Sequence, residues 1–268
     1  MLRNVKTLAV ANIQVAMTYK VNFVLGILST VVLFFVHFNL WKIVFEGNNA
    51  STIGGYTFPK MIMYVAMSRI LYVFVNSLSI EEKVAGEIKD GNLSVFLVKP
   101  MNYLLYNISA KIGNMILQFI ISIVVFFTLF FIVIGDLTVM PGWPTILIVI
   151  VTALGGMVIS TLIGYIFALS AFWIEQVGIM FVFKRTLLSF ISGVWIPISF
   201  FPSLMRKILD FLPFNYLQYF SVNIYMGNLW GTELIKGVFT QIIWIVLLYL
   251  ISIVMWVRGI KKYTSVGG

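Results

Sequence analysis

The chain has no cysteine, a single histidine and only nine acidic residues among 268. Without cysteine there is no disulfide, no thiolate metal ligand and no cysteine nucleophile. With His37 alone there is no histidine pair for a metal and no complete serine-histidine-acid triad with a spare base, which argues against an ordinary hydrolase. A phosphate-cradling loop is also missing. The nearest glycine spacing, Gly86 to Gly91, is followed by Asn92 and Leu93 where Lys and Ser or Thr would have to hold phosphate and magnesium. The sequence therefore offers no ATP site, metal site or cofactor site of its own. Charged residues make up 10% of the chain, a share that excludes an ordinary soluble domain.

What is abundant is apolar surface, at 61% of residues. Six stretches stand out: 21–45, 60–80, 112–135, 145–171, 186–201 and 233–257. A bilayer core asks for about 20 apolar residues per helix. The fifth stretch is short, but apolar Val177 to Phe183 extends it, with Lys184 and Arg185 snorkelling to the membrane face. The expectation is an all-α membrane protein of six transmembrane helices, a single transmembrane domain over 1–268. Residues 1–20 place Leu2, Val5, Ala9, Ile13 and Ala16 at helical spacing among charges, as in an interfacial helix or a short extension of the first span.

A net charge of +9 would suggest nucleic acid in a soluble protein; here it follows from loop bias, and no nucleic-acid partner is expected. Arg3, Lys6, Lys20, then Lys83, Lys89, Lys99, Lys111, then Lys184, Arg185, then Arg258, Lys261 and Lys262 all fall on one side. The connections 46–59 and 136–144 hold none, and 202–232 holds only Arg206 and Lys207. Positive residues are retained inside, so both termini are expected in the cytoplasm of a multi-pass protein.

Two connections are too long for turns. The cytoplasmic one, 81–111, mixes charge with apolar residues at helical spacing and suits short amphipathic helices. The outer one, 202–232, carries Phe211, Leu212, Phe214, Tyr216 and Phe220, with Pro197, Pro202 and Pro213 marking breaks. It suits short re-entrant helices in the outer leaflet, covered by protein. Arg69 sits in mid-span, where a charge costs about 2.5–3.5 kcal/mol on insertion scales. It either faces an aqueous path, meeting an anionic group of the cargo, or pairs structurally with a carbonyl or carboxylate. His37 reads more readily as a packed polar residue than as a proton relay. Glu46, Asp136, Glu175 and Glu233 all lie at span ends, so no mid-span carboxylate supports ion coupling. Gly156, Ser160, Gly164 and Ala168 form a stripe of small residues for close helix packing.

The segment Gly86-Glu87-Ile88-Lys89-Asp90-Gly91-Asn92-Leu93, with Leu97-Val98-Lys99-Pro100 and Tyr103, resembles the cytoplasmic loop of type-2 ATP-binding-cassette (ABC) export permeases of the small six-helix prokaryotic branch. Ile196-Pro197-Ile198-Ser199-Phe200-Phe201-Pro202, Leu212-Pro213-Phe214 and Tyr225-Met226-Gly227 are similar to the same branch after its fifth helix; Ser221 stands where its pattern commonly has proline. The resemblance implies a permease subunit of an exporter in the prokaryotic cytoplasmic membrane. A second copy or a related permease would complete the path, and separate ABC ATPase subunits would carry ATP and magnesium. It further implies that 81–100 is the ATPase-coupling element. Glu87, Lys89 and Asp90 would make polar contacts and Gly86 and Gly91 tight turns, with Lys99 and Pro100 belonging to the same element. The rival reading is an ATP-independent secondary transporter or channel subunit. Lipidic, glycolipid or amphiphilic peptide and drug cargoes all suit so apolar an interior.

Overall fold

A computed structural model of the chain describes residues 20–48, 51–77, 79–98, 102–109, 111–135 and 141–263. The expected interfacial helix at 1–20, and Lys99 and Pro100 of the coupling segment, lie outside the described residues apart from Lys20. Within them the structure is helical and contains no strand; Ile53 and Tyr56 form an isolated antiparallel bridge.

The order is α1 (Lys20–Gly47), α2 (Phe58–Asn76), α3 (Glu81–Lys89), α4 (Ser94–Leu97), α5 (Tyr103–Ser109), α6 (Ile112–Ile134), α7 (Trp143–Leu169), α8 (Gly178–Ile191), α9 (Ser203–Phe211), α10 (Tyr219–Tyr225) and α11 (Gly231–Lys262), with short 3₁₀ turns at Ser170–Phe172, Ile198–Phe200 and Pro213–Tyr216. Local sequence sets many of these ends. Pro59 and Pro144 lie in the first turns of α2 and α7, where a missing N–H costs nothing. Gly135 adopts φ +71 and donates its N–H to the Phe131 carbonyl to close α6. α11 has Glu233 in its first turn and Lys261 and Lys262 in its last, matching the helix dipole.

Among the described residues, four stretches are long and apolar enough to cross a membrane: Leu28–Gly47, Phe58–Lys89, Trp143–Phe172 and Gly231–Lys262, with a shorter apolar stretch at Gln118–Val133. The protein is an all-α membrane protein. α2 is its centre, with Met61 to Met67 almost wholly enclosed, and α7 packs against α2, α10 and α11. In α11, by contrast, Ile235, Phe239, Ile242, Val246 and Leu250 are exposed, the face a lipid-bathed helix presents. Trp143 and Trp230, beside the N-terminal ends of α7 and α11, are exposed as an interfacial aromatic belt requires.

The drawn fifth span and the observed helix differ. α8 covers 14 residues, short of a full crossing, and stops at Ile191 because Gly193 takes φ +79 and Pro197 follows. The apolar residues beyond it turn inward instead: Val194 and Ile198 are enclosed, and the Tyr64 hydroxyl donates to the Gly193 carbonyl at 2.6 Å. In 202–232, α9 is exposed on most sides, whereas α10 is buried from Phe220 to Tyr225 against α7 and α2. Ser221, at the position where proline was expected, donates its hydroxyl to Thr152 Oγ1 on α7 at 2.9 Å.

Candidate functional site

Two groups of residues carry the site: the α3 platform and the cavity beside it. α3 is amphipathic by sequence, with Val84, Ala85 and Ile88 on one face, and that face is buried against Tyr165, Ala168 and Leu169 at the end of α7. Acidic Glu81 and Glu82 occupy its first turn and Lys89 its last, as the dipole favours. Glu81 and Lys184 of α8 form a buried ion pair, Nζ to Oε1 2.5 Å, with both residues under 10% exposed. One turn-position on, Glu82 accepts from Arg185 at 2.9 Å on the exposed rim. Burial raises the Glu81 carboxyl's proton affinity, but the charge and hydrogen bond of Lys184, with help from Ser79, bring its pKa below the ordinary value.

The rest of the loop is anchored by tyrosines. Tyr103 donates to Glu87 Oε2 at 2.5 Å and stacks on Trp256 of α11 with ring centroids 5.2 Å apart; burial and then Glu87 push its phenol up. Tyr263, just past α11, donates to the Gly91 carbonyl at 2.6 Å and accepts from the Ser94 N–H at 3.2 Å. What remains exposed is Glu82, Lys83, Lys89 and Asp90, together with an apolar strip at Val95, Leu97 and Val98.

Of the two glycines expected to turn, Gly91 does so, at φ +76. Gly86 does not: it lies inside α3, and a Cβ there would meet nothing within 4 Å. Gly86→Ala is therefore expected to stabilise the chain by about 0.5–1 kcal/mol by restricting the unfolded backbone. Thermal unfolding of the detergent-solubilised chain measures this, and a lowered midpoint contradicts the helical assignment.

The small-residue stripe of α7 serves four partners in turn. Gly156 abuts the backbone of Leu217, the Ser160 hydroxyl donates to Asn76 Oδ1 at 3.0 Å, Gly164 makes room for Glu81, and Ala168 is enclosed beneath α3. All of these contacts lie within the chain.

Arg69 and His37 come together. Both line an open-sided cavity of about 980 Å³ between α1, α2, α8 and the segment 195–201. His37 Nδ1 donates to the Leu33 carbonyl at 2.8 Å, and its ring stacks on Trp195 at 5.1 Å. Arg69 lies over the Tyr72 ring at 5.3 Å and has no carboxylate partner among the described residues. A second, polar pocket of about 470 Å³ opens beside α3 and shares Tyr72 and Arg185 with the cavity. Sequence reasoning named Arg69 and His37 but missed the Glu81–Lys184 and Glu82–Arg185 pairs. The available signal was an acidic doublet matched to a basic doublet 103 residues later. Among the described residues no cluster of three or more His, Asp or Glu is arranged to hold a metal.

Long apolar helices whose outward faces stay uncovered define an integral membrane protein. The sequence matches the family described as ABC-2 family transporter protein over residues 28–267, and the chain belongs to that family. Its members are membrane transport subunits, and membership implies an ABC ATPase partner. No curated protein matches the chain.

Proposed function

We propose that the chain is the permease subunit of an ABC exporter and forms half of a translocation path. Partner ATPase subunits, which carry ATP and magnesium, drive it to switch. On this reading the chain crosses the prokaryotic cytoplasmic membrane six times, α6 making one pass and α8 together with the partly enclosed segment 192–201 another, both termini lie inside, and a second copy or related permease completes the path. α3 to α5 then face the cytosol, and α9 and α10 sit at the outer leaflet.

The observation that carries the reading is the α3 platform. Its inner face is fixed to α7 by packing and to α8 by the Glu81–Lys184 pair, while Lys89 and Asp90 at its end, and Val95, Leu97 and Val98 in and just past α4, stay exposed. A push on that surface reaches α8 and α7 as a rigid displacement, because a buried hydrogen-bonded pair has little slack. A polar rim around an apolar strip is also the composition of a protein-docking patch.

The chain has no cysteine, so an introduced one is unique. Val98→Cys and Lys89→Cys, expressed with an ABC ATPase that co-purifies with the chain, should react with a membrane-impermeant maleimide only in inside-out vesicles. They should cross-link to the ATPase and abolish stimulated ATP hydrolysis when cross-linked. Labelling from the outside face, or transport in liposomes without any ATPase, overturns the proposal; the second result establishes the secondary-transporter reading.

A further inference from the structure

We infer that the cavity between α1, α2 and α8 binds an anionic amphiphile, its headgroup at Arg69 and its hydrocarbon chain along Leu40, Val44, Ile53 and Phe200, with the head toward α3. This names the cargo class of the permease reading and rests on it for direction of transport, but not for binding.

Three observations lead there. First, the cavity's polarity is graded along its length. Glu82 ties Arg185 to α3, so the Arg185 end of α8 marks the α3 end of the cavity. At that end stand Arg69, Tyr72, Arg185, Thr186 and Ser189, two guanidiniums and three hydroxyls. Toward the far end, where Phe200 packs on Trp41 at 5.7 Å and against Gly54, the wall is aliphatic and aromatic. A head-and-tail molecule matches that gradient; a uniformly polar or uniformly apolar ligand leaves one end mismatched.

Second, among the described residues no carboxylate lines the cavity. Arg185 already has Glu82, so Arg69 is the charge left for a ligand, and a guanidinium recognises carboxylate or phosphate by paired, charge-assisted hydrogen bonds.

Third, among the described residues two side-chain N–H donors of the cavity's lining residues are buried without a partner, Arg69 Nε and Trp41 Nε1; His37 Nε2 is also unpartnered, but with Nδ1 donating to Leu33 it is the accepting nitrogen of its ring. A buried donor is costly to leave unpaired, and Arg69 Nε, the one at the α3 end, is a donor that a headgroup oxygen would satisfy. The head therefore lies on the same side as α3 and the tail points away from it, the posture of a lipid-like molecule of the leaflet that α3 faces.

The test uses the full chain in phosphatidylcholine nanodiscs with no ATPase present, titrated with dansyl-undecanoic acid and followed by fluorescence. Tetradecyl phosphate should compete, tetradecanol should compete at least about tenfold less well, and inorganic phosphate should fail at about a hundredfold higher concentration. Arg69→Gln should weaken probe binding at least about tenfold, with Arg69→Lys retaining most of it. Leu40→Trp, which fills the tail end and leaves Arg69 intact, should weaken it as well. Equal competition by tetradecanol, competition by inorganic phosphate alone (a free-anion site), or an unchanged Arg69→Gln variant overturns the inference. So does loss of binding on cross-linking two chains through α1, which assigns the face to a second copy. Binding without ATPase coupling would defeat the permease reading and leave this one standing; coupling without binding would do the reverse.

Discussion

Removing either partner of the buried Glu81–Lys184 pair is expected to destabilise the protein by about 3–5 kcal/mol, because the survivor is left charged and uncompensated in a water-poor site. Glu81→Ala and Lys184→Ala should each show this in thermal unfolding of the purified chain. The double variant Glu81→Leu/Lys184→Met should recover to within about 1 kcal/mol of the parent, since apolar side chains of similar volume replace a buried pair without penalty. The pH dependence has a definite sign. The folded Glu81 carboxyl titrates below its ordinary value, so its contribution is complete above that value and is lost as pH falls through the lower folded one. The double variant should lack that acid-side loss. It also separates stability from coupling: if the pair transmits ATPase motion from α3 to α8, the double variant folds normally yet exports poorly. A double variant as unstable as either single one would show that the pair's geometry, not its charge balance, holds α3 in place.

The contrast between this pair and the spans shows what a sequence can and cannot reveal here. α7 and α11 were legible because lipid demands long apolar runs, and a run is a property of consecutive residues. α8 was only half legible. Val194, Trp195 and Ile196 continue the apolar run past the helix end, and the helix stops because Gly193 reverses the backbone and Tyr64 captures its carbonyl, a partner 129 residues away. The same limit hid Glu81–Lys184. Each doublet was visible, but nothing local says that residues so far apart in the chain meet. His37 and Arg69 were singled out because ionisable groups in a span are conspicuous one at a time. That they share one cavity wall depends on how α1 and α2 pack. Gly86 shows the opposite error: a glycine near a turn was read as part of it, whereas the helix simply continues through.

Gly156→Val should cripple the protein at least as severely as breaking the ion pair. The four-residue stripe on α7 indicates close approach, and what approaches is backbone. A Cβ at 156 would run into the Leu217 carbonyl oxygen and lie 2.9 Å from the Tyr216 carbonyl oxygen. A side chain can rotate away from such a clash, but this segment is held from three directions. Gln241 of α11 donates both to the Thr152 carbonyl at 2.8 Å and to the Tyr216 carbonyl at 3.2 Å. Gln218 donates to Ser192 Oγ at 2.6 Å and to the Ser192 carbonyl at 3.1 Å, and Ser221 is bonded to Thr152. Moving Leu217 therefore strains bonds to α7, to Ser192 just past α8 and to α11 together, so overpacking here should exceed the usual cost of about 1–3 kcal/mol. Gly156→Ala should already lower the unfolding midpoint, with Gly156→Val failing to accumulate as folded protein. Gly164→Ala offers the comparison: its Cβ meets Glu81 Oε2 at 2.8 Å, the end of a side chain, so it should cost less and act through the ion pair. If Gly164→Ala proves the more damaging, the rigid joint of the molecule is at α3 and not at the α7–α10 junction.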